Sequence, residues 1–502
     1  MQKFAVLLFV VLALVLMGSR FSHAREEVKI ATWEDISSMD PGWMVSSARE
    51  LVVLDCLYDG LVTYKEGTFE VIPQLAESWD QSPDGKEIVF HLKKGVQFHK
   101  GYGEMTAEDV KFSFDRVIAP DSDATEKETF SSLKQVEILD TYTVKFTFEK
   151  PMSQLFTSAL PGPSGMVVCK KAAREMGREK YGQNPIGPGP YEFVSWEPKK
   201  KLVLKSFDGY WGSPAKNSRL AFMPIVEDTT CEIALKTKEV HVGRCSMVNL
   251  QAFKRNPRMN LVTKPDLRYW FIGFTQNHPP FDNKHLREAL RWSVDVDKAI
   301  NAAFFGGADR AKTVVPPGVV GHWKDAPLRK VDLDKAKECL KMGGKPEGFS
   351  ATVNVFLGDT PKILAEVIKA DAARVGIDLK LNVQETGAFN DANLAGKHDM
   401  FIDVWGTTTD PSDSTIWWVA DNKWNITHWN NPEFDKIVGQ ATSELDLEKR
   451  TQLYMKTQQI MDDECWGILL THGTRIVAAT QDVDLGQVYP NGNLAPWTIS
   501  LK

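Results

Sequence analysis

Between Leu75 and Arg116 the chain reads LAESWDQSPDGKEIVFHLKKGVQFHKGYGEMTAEDVKFSFDR, and these forty-two residues leave the backbone little freedom. Ser82-Pro83-Asp84-Gly85 has turn chemistry, because proline pre-sets φ and glycine reaches positive φ without steric cost. Ile88, Phe90 and Leu92 then alternate on one face, the period-two pattern of a half-buried strand. Lys93-Lys94-Gly95 turns the chain again. Thr106, with Asp109 three residues on, is a capping-box variant opening a helix on which Val110, Phe114 and Val117 share a face. The block therefore predicts a strand, a turn, a second strand and a capped helix, with nothing catalytic among its residues.

The amino terminus is of another kind. Lys3 precedes an apolar run from Phe4 to Met17, and Ser22-His23-Ala24 places small residues at the two positions a signal peptidase inspects. Fourteen apolar residues fall short of the roughly 20 that span a bilayer, so residues 1–24 read as a secretory signal cleaved after Ala24. The first cysteine is Cys56, which leaves no thiol at the cleavage site for a lipid, and a soluble periplasmic protein is expected. Cleavage leaves 478 of the 502 residues, more than the ~250–300 at which a single core stops growing, so two or more domains are expected. It removes two cations and no acid, taking the formal charge from −6 to −8. A mildly acidic surface of mixed sign argues against nucleic acid, which needs clustered positive charge.

Six cysteines in an oxidising compartment leave several disulfide connectivities open. Cys231 with Cys245 is the candidate pair, because it closes a short helix-to-strand excursion; ordinary buried thiols are the alternative. No C-x-x-C occurs, so zinc and thioredoxin-type chemistry lack their usual spacing. Elsewhere Val28 to Trp33 alternates like a strand, and Leu51, Val52 and Asp55 have helical spacing leading to Tyr58-Asp59-Gly60-Leu61-Val62. A helix from Ile363 to Val375, a stop at Gly376 and a strand from Ile377 to Leu381 make an α-to-β unit.

These segments, in this order, resemble the family-5 solute-binding proteins of bacterial ABC importers, the group that captures oligopeptides, dipeptides and nickel complexes. The resemblance runs through AESW, DG, F-H-L-K-K-G-V-x-F-H-x-G and A-E-D-V-x-x-S of the opening block, and through Tyr58 to Val62. It continues in Pro185-Ile186-Gly187-Pro188-Gly189-Pro190-Tyr191, where Pro188 replaces the usual threonine, and in Trp196 and Phe207 to Gly212. Pro280-Phe281-Asp282-Asn283 with Leu286 to Leu290, and Asp332 to Leu340 with Leu333 for proline, extend it. It weakens where Lys238 stands for a helix-ending glycine and His241 for an aspartate.

The resemblance implies an α/β, two-lobed periplasmic binding protein fold, cluster C and type II-like, with an extra subdomain on the first lobe. Lobe I is expected over 25–265, with that subdomain at about 65–184, lobe II over 266–470, and a return to lobe I over 471–502. A short peptide or other small molecule would be held between the lobes and delivered to permease subunits in the inner membrane. The expected receptor is a monomer that uses no cofactor and no catalytic residue.

Enzyme motifs give no rival reading. Gly162-Pro163-Ser164-Gly165 falls one residue short of a nucleophile elbow, and neither G-x-x-x-x-G-K-[ST] nor H-E-x-x-H occurs. His91 and His99 lack a third metal ligand. Tryptophan is the unusual residue: of fifteen, Trp405, Trp417, Trp418, Trp424 and Trp429 fall within twenty-five positions. Such rings serve cores, and they equally serve clefts, where rigid flat surfaces give contact area at low entropy cost.

Phe401 to Trp405 reads as a strand entering Gly406-Thr407-Thr408-Thr409-Asp410-Pro411, which resembles the family's cleft segment W-x-x-x-x-D-P. That makes Trp405 the leading ligand candidate, with Trp417 and Trp424 as further rings. Peptide-binding members carry an aspartate a few residues after this tryptophan that pairs with the peptide's amino terminus; here Thr407 to Thr409 occupy that neighbourhood. A charge-assisted bond in a dry cleft is worth roughly 1.5–3 kcal/mol, so the change matters. Thr408 and Thr409 are the polar candidates, and Asp410 or Asp413 the substitute carboxylates, with turn capping as the alternative for Asp410. Arg268, Tyr269 and Trp270 at the expected crossover, for which packing at the hinge is the favoured alternative to ligand contact, and Leu51 complete the set. The loop's spacing is closer to that of the nickel-complex binder, although Leu160 to Gly165 has glycine where that subgroup's chelator-holding arginine is expected. A metal-chelate receptor is therefore the alternative ligand class.

Overall fold

The computed structural model describes residues 27–43 and 51–502, and the expected signal segment lies outside them. The opening block folds as its local chemistry dictates. Ala76–Gln81 and Glu87–Leu92 pair antiparallel, with Gly85 at φ +66° in the turn between them. The helix Ala107–Ile118 begins at Thr106, whose hydroxyl accepts the Glu108 N–H at 3.3 Å while Asp109 accepts the Thr106 N–H at 3.0 Å. Leu133–Asp140 and Thr143–Phe148 complete a four-stranded sheet, and Ile88, Phe90 and Leu92 join Phe114 and Phe146 in one core. Phe114 stands edge-on to Phe146 at 4.7 Å, an arrangement worth ~0.5–1.5 kcal/mol beyond the area buried.

Two larger sheets organise the rest. The seven-stranded sheet runs, in spatial order, Met259–Pro265, Thr474–Thr480, Val242–Gly243, Glu27–Thr32, Arg219–Pro224, Lys201–Ser206 and Tyr191–Glu197. The five-stranded sheet runs Ile377–Gln384, Phe349–Phe356, Met400–Trp405, Tyr269–Phe274 and Gly467–Thr471. Within it Phe349–Phe356 and Ile377–Gln384 are parallel, joined by the helix Asp359–Ala373, and Gly376 at φ +86° turns the chain from helix to strand. The chain passes between these sheets twice, from Pro265 to Tyr269 and back from Thr471 to Thr474. The second sheet has its own core, in which Ile272, Val353, Leu379 and Ile402 pack against Leu286, Leu290 and Leu364. The architecture is α/β and two-lobed.

Two sequence details resolve here. The helix Asp228–Lys236 is followed by Lys238 at φ +60°, the left-handed conformation that a glycine would adopt freely, and its ammonium reaches Asp482 at 2.9 Å. The candidate disulfide Cys231–Cys245 is not formed: all six cysteines are free and buried. Both residues pack in one small apolar cluster with Leu235 and Phe253, where Cys231 Sγ accepts the Arg244 N–H at 3.3 Å. Burial pushes the Cys245 thiol up to about 12, so these sulfurs serve as small hydrophobes.

Arg116, the last residue of the opening block, ties it to the chain's first turn. Its guanidinium donates to Asp40 at 2.8 Å and 2.5 Å, and the Asp40 side chain is 1% exposed. Burial opposes the charge on Arg116, but the charge and hydrogen bonds of Asp40 outweigh it. Replacing Arg116 with methionine leaves that carboxylate buried and unpaired, and we expect a loss of about 3–5 kcal/mol. The double replacement R116M/D40N should recover part of it, as urea denaturation of both variants will show.

Candidate functional site

Trp405 ends its strand opposite Tyr269, and Gly406 then carries the chain off the sheet into a loop at the seam between the lobes. Every polar side chain in the loop is tied down. Thr407 donates to the Leu267 carbonyl in the outgoing crossing, and Thr408 donates to Asp413 at 2.5 Å. Thr409 donates to the Thr157 carbonyl at 2.8 Å and meets the Tyr64 hydroxyl at 2.5 Å, so it joins the second lobe to two segments that precede the crossing.

Asp410 is the centre of this network. Arg450, from the helix Leu447–Asp463, donates to its two oxygens at 2.7 Å and 2.8 Å, and the side chains are 2% and 1% exposed. The Ser412 N–H at 2.9 Å, the Ser412 hydroxyl at 2.5 Å and the Thr157 hydroxyl fill its remaining lone pairs. Burial alone would raise this carboxyl; the hydrogen bonds and charge of Arg450 outweigh it and hold the group below the ordinary carboxylate range. Asp410 is therefore a structural anchor, with no acceptor left for a ligand. Asp413 is raised by burial and has Thr408 as its donor.

The aromatic candidates separate into three environments. Trp405 and Trp417 are partly exposed and pack together at 5.6 Å; the Trp405 indole donates to Asp403 at 3.1 Å, and that of Trp417 has no acceptor among the described residues. Trp424 stands apart, 42% exposed beneath the Lys423 ammonium. Tyr269 is wholly buried and accepts the Trp418 indole N–H at 3.1 Å, in a core shared with Phe271 and Trp466. Trp270 points the other way, against Phe304 and Phe356. Strand alternation thus sends these two neighbours to opposite faces of the sheet, Tyr269 into a core and Trp270, partly exposed, against the edge of another. Arg268 likewise donates to Asp266 at 2.9 Å and 2.6 Å and braces the crossing. Leu51 is the first described residue of the helix Leu51–Leu57.

That helix holds the residue the sequence reading passed over. Asp55 is a partly buried carboxylate for which no hydrogen-bond donor is found among the described residues, and burial pushes it up to about 7. One turn on, Asp59 is buried but fully served, by Gln74 and Trp211 at 2.7 Å each. Asp55 lies in electrostatic reach of Tyr64, the residue that touches Thr409, and of Tyr489. The signal was a single acid within Leu-Val-Val-Leu-Asp-Cys-Leu. Tyr64 and Thr157 carried no such signal, since they meet the loop only through contacts spanning 345 and 252 residues.

Among the described residues no group of three or more His, Cys, Asp or Glu side chains converges as metal ligands. His91 bonds Asp80 at 2.9 Å, while His99 sits buried between the Gly187 N–H and the Gly189 carbonyl. No helix among them is long and apolar enough to cross a membrane.

The site can be set beside known proteins. The family profile described as "Bacterial extracellular solute-binding proteins, family 5 Middle" matches residues 70–426. The dipeptide-binding protein of Escherichia coli (strain K12) is 29% identical over 472 residues, covering 87% of each chain. The periplasmic binding protein DppA of Helicobacter pylori, solved with the peptide STSA, is 27% identical with a TM-score of 0.72, over 95% of this chain and 98% of that one. The murein tripeptide binding protein MppA in its unliganded open form gives a TM-score of 0.85 at 20% identity, over 95% of this chain and 97% of that one. The matched span takes in both the opening block and the seam loop, and the chain belongs to the bacterial extracellular solute-binding proteins of family 5.

Proposed function

We propose that this chain is a periplasmic receptor that holds a short peptide by its amino terminus in the interlobe seam and delivers it to ABC permease subunits in the inner membrane, after removal of residues 1–24. The observation that carries the reading is Asp55, a carboxylate without a donor among the described residues and in electrostatic reach of Tyr64, which meets Thr409. A charge in such a place is costly until a cation arrives, and a peptide's amino terminus supplies one. Trp405 and Trp417 offer ring surface to apolar side chains, and an extended peptide adds backbone hydrogen bonds that do not read sequence. The peptide ligands named for the relatives support this class. Two lobes joined by two crossings suit a hinge closure, with ligand shifting the population towards the closed form.

Titration calorimetry with a dipeptide and its N-acetylated form tests the assignment. We expect the acetylated ligand, and the free dipeptide on D55N, to bind at least about tenfold more weakly than the free dipeptide on the unaltered protein. Equal affinity in all three sinks the Asp55 anchor. A protein that ignores all short peptides and retains a metal chelate in native mass spectrometry sinks the peptide reading.

A pH dependence follows from the same carboxyl. Its ordinary value is about 3.9, and in the fold it lies at about 7, with Cys56, Asp59, Tyr64 and Tyr489 as the titratable groups around it. As the pH falls through that value the carboxylate takes up a proton and loses its hold on an ammonium, so affinity should weaken on the acid side. Calorimetry across that range should show this limb in the unaltered protein and its loss in D55N.

A further inference from the structure

The second lobe holds a cavity that shares no residue with the seam loop. It measures ≈ 70 Å³ and lies between the returning strand Gly467–Thr471, the helix Leu447–Asp463 and the segment 310–329. Arg291, Arg310, Lys312 and Arg329 line it, against the single carboxylate of Asp462. On a chain of net charge −6, that concentration of cations runs against the average.

The carboxylate is already engaged. Asp462 meets Arg291 at 3.0 Å with one oxygen and Arg329 at 2.8 Å with the other, and Glu288 holds Arg291 as well. Arg310 is not served in this way. Its side chain is 13% exposed, the Asp297 carboxylate meets it only at 3.5 Å from a position 61% exposed, and its Nε has no acceptor among the described residues. Lys312 donates to the Lys324 carbonyl at 2.8 Å. Trp466, 2% exposed and part of the same lining, has an indole N–H that likewise finds no acceptor among the described residues. Buried donors are almost always satisfied, and a guanidinium out of water needs a counter-charge.

We propose that this cavity binds a small oxyanion, a carboxylate or phosphate group, held by Arg310 and Lys312 with the Trp466 indole as a further donor. About 10–15 Å³ of such space holds one water, so the ≈ 70 Å³ here admits a small head group. The site is independent of the ligand seam, yet it adjoins the hinge. The Ala311 N–H donates to the Leu470 carbonyl at 2.9 Å and the Thr471 hydroxyl to the Asp309 carbonyl at 2.6 Å, which joins the segment carrying Arg310 to the strand leading back to the first lobe.

Thermal unfolding of the mature protein in inorganic phosphate, in acetate, and in chloride at matched ionic strength tests the site, with phosphorus NMR line broadening as a direct reading of phosphate. A saturable rise in Tm over chloride is expected, because a ligand that binds the folded state alone stabilises it by mass action. The salt that responds names the head group, and R310M should need at least tenfold more of it. If R310M fails to fold, K312M, altered at an exposed position, provides the comparison. No rise over chloride in either salt, or the same saturation curve in the variant that folds, overturns the proposal.

Discussion

A carboxylate and a guanidinium, both removed from water, set the position of everything the seam presents. Asp410 and Arg450 face each other through two parallel hydrogen bonds, the geometry that makes arginine and carboxylate the strongest pairing available to side chains. Desolvating two charges is expensive, and only near-complete satisfaction of their remaining donors and acceptors makes it tolerable. Ser412, Thr157 and the Ala441 carbonyl, which accepts from Arg450 at 3.2 Å, meet that requirement. The arrangement in turn allows one position for residues 407 to 413, and with it one placement of Trp405, Thr408 and Thr409.

The same loop touches both lobes and the crossing between them. Thr407 is bonded to the outgoing crossing at Leu267, Thr409 to Tyr64 and Thr157, and Asp410 to a second-lobe helix. A displacement of one lobe against the other must break or carry these bonds together. In the proposed closure this gives occupancy of the seam a mechanical route to the hinge, since packed interfaces switch between discrete arrangements and do not deform continuously. The returning crossing is stitched to Arg310 in a comparable way, which brings the cationic cavity into contact with the same joint.

Much of this fold was legible in advance, for local reasons. The strand Glu87–Leu92 follows from alternation, the helix at Ala107 from a threonine that can cap and an aspartate that can answer it, and the turn at Gly376 from the one residue at ease with φ +86°. The cleft was legible only in part. Tyr269 and Trp270 are neighbours of similar character, and nothing local says which sheet face either will meet; pairing with Trp405 and Val404 decides it, burying Tyr269 and leaving Trp270 partly exposed. Asp410 read equally well as a ligand anchor or a turn cap until Arg450, forty residues away, took both its oxygens. Cys231 and Cys245 read equally as a bridge or as ordinary buried thiols, and the structure holds them as free thiols in one apolar cluster.

What the sequence by itself determined was the set of local elements, the family pattern and the kind of residue that fills the seam loop, because caps, turns and periodicity depend on groups a few residues apart. What only the tertiary structure decided was which charges are spent and which are free. Asp410 and Asp55 are indistinguishable as letters, yet one accepts five hydrogen bonds and the other none among the described residues. The difference lies in partners brought together from distant parts of the chain, and in a burial that raises the carboxyl for which the described residues supply no donor.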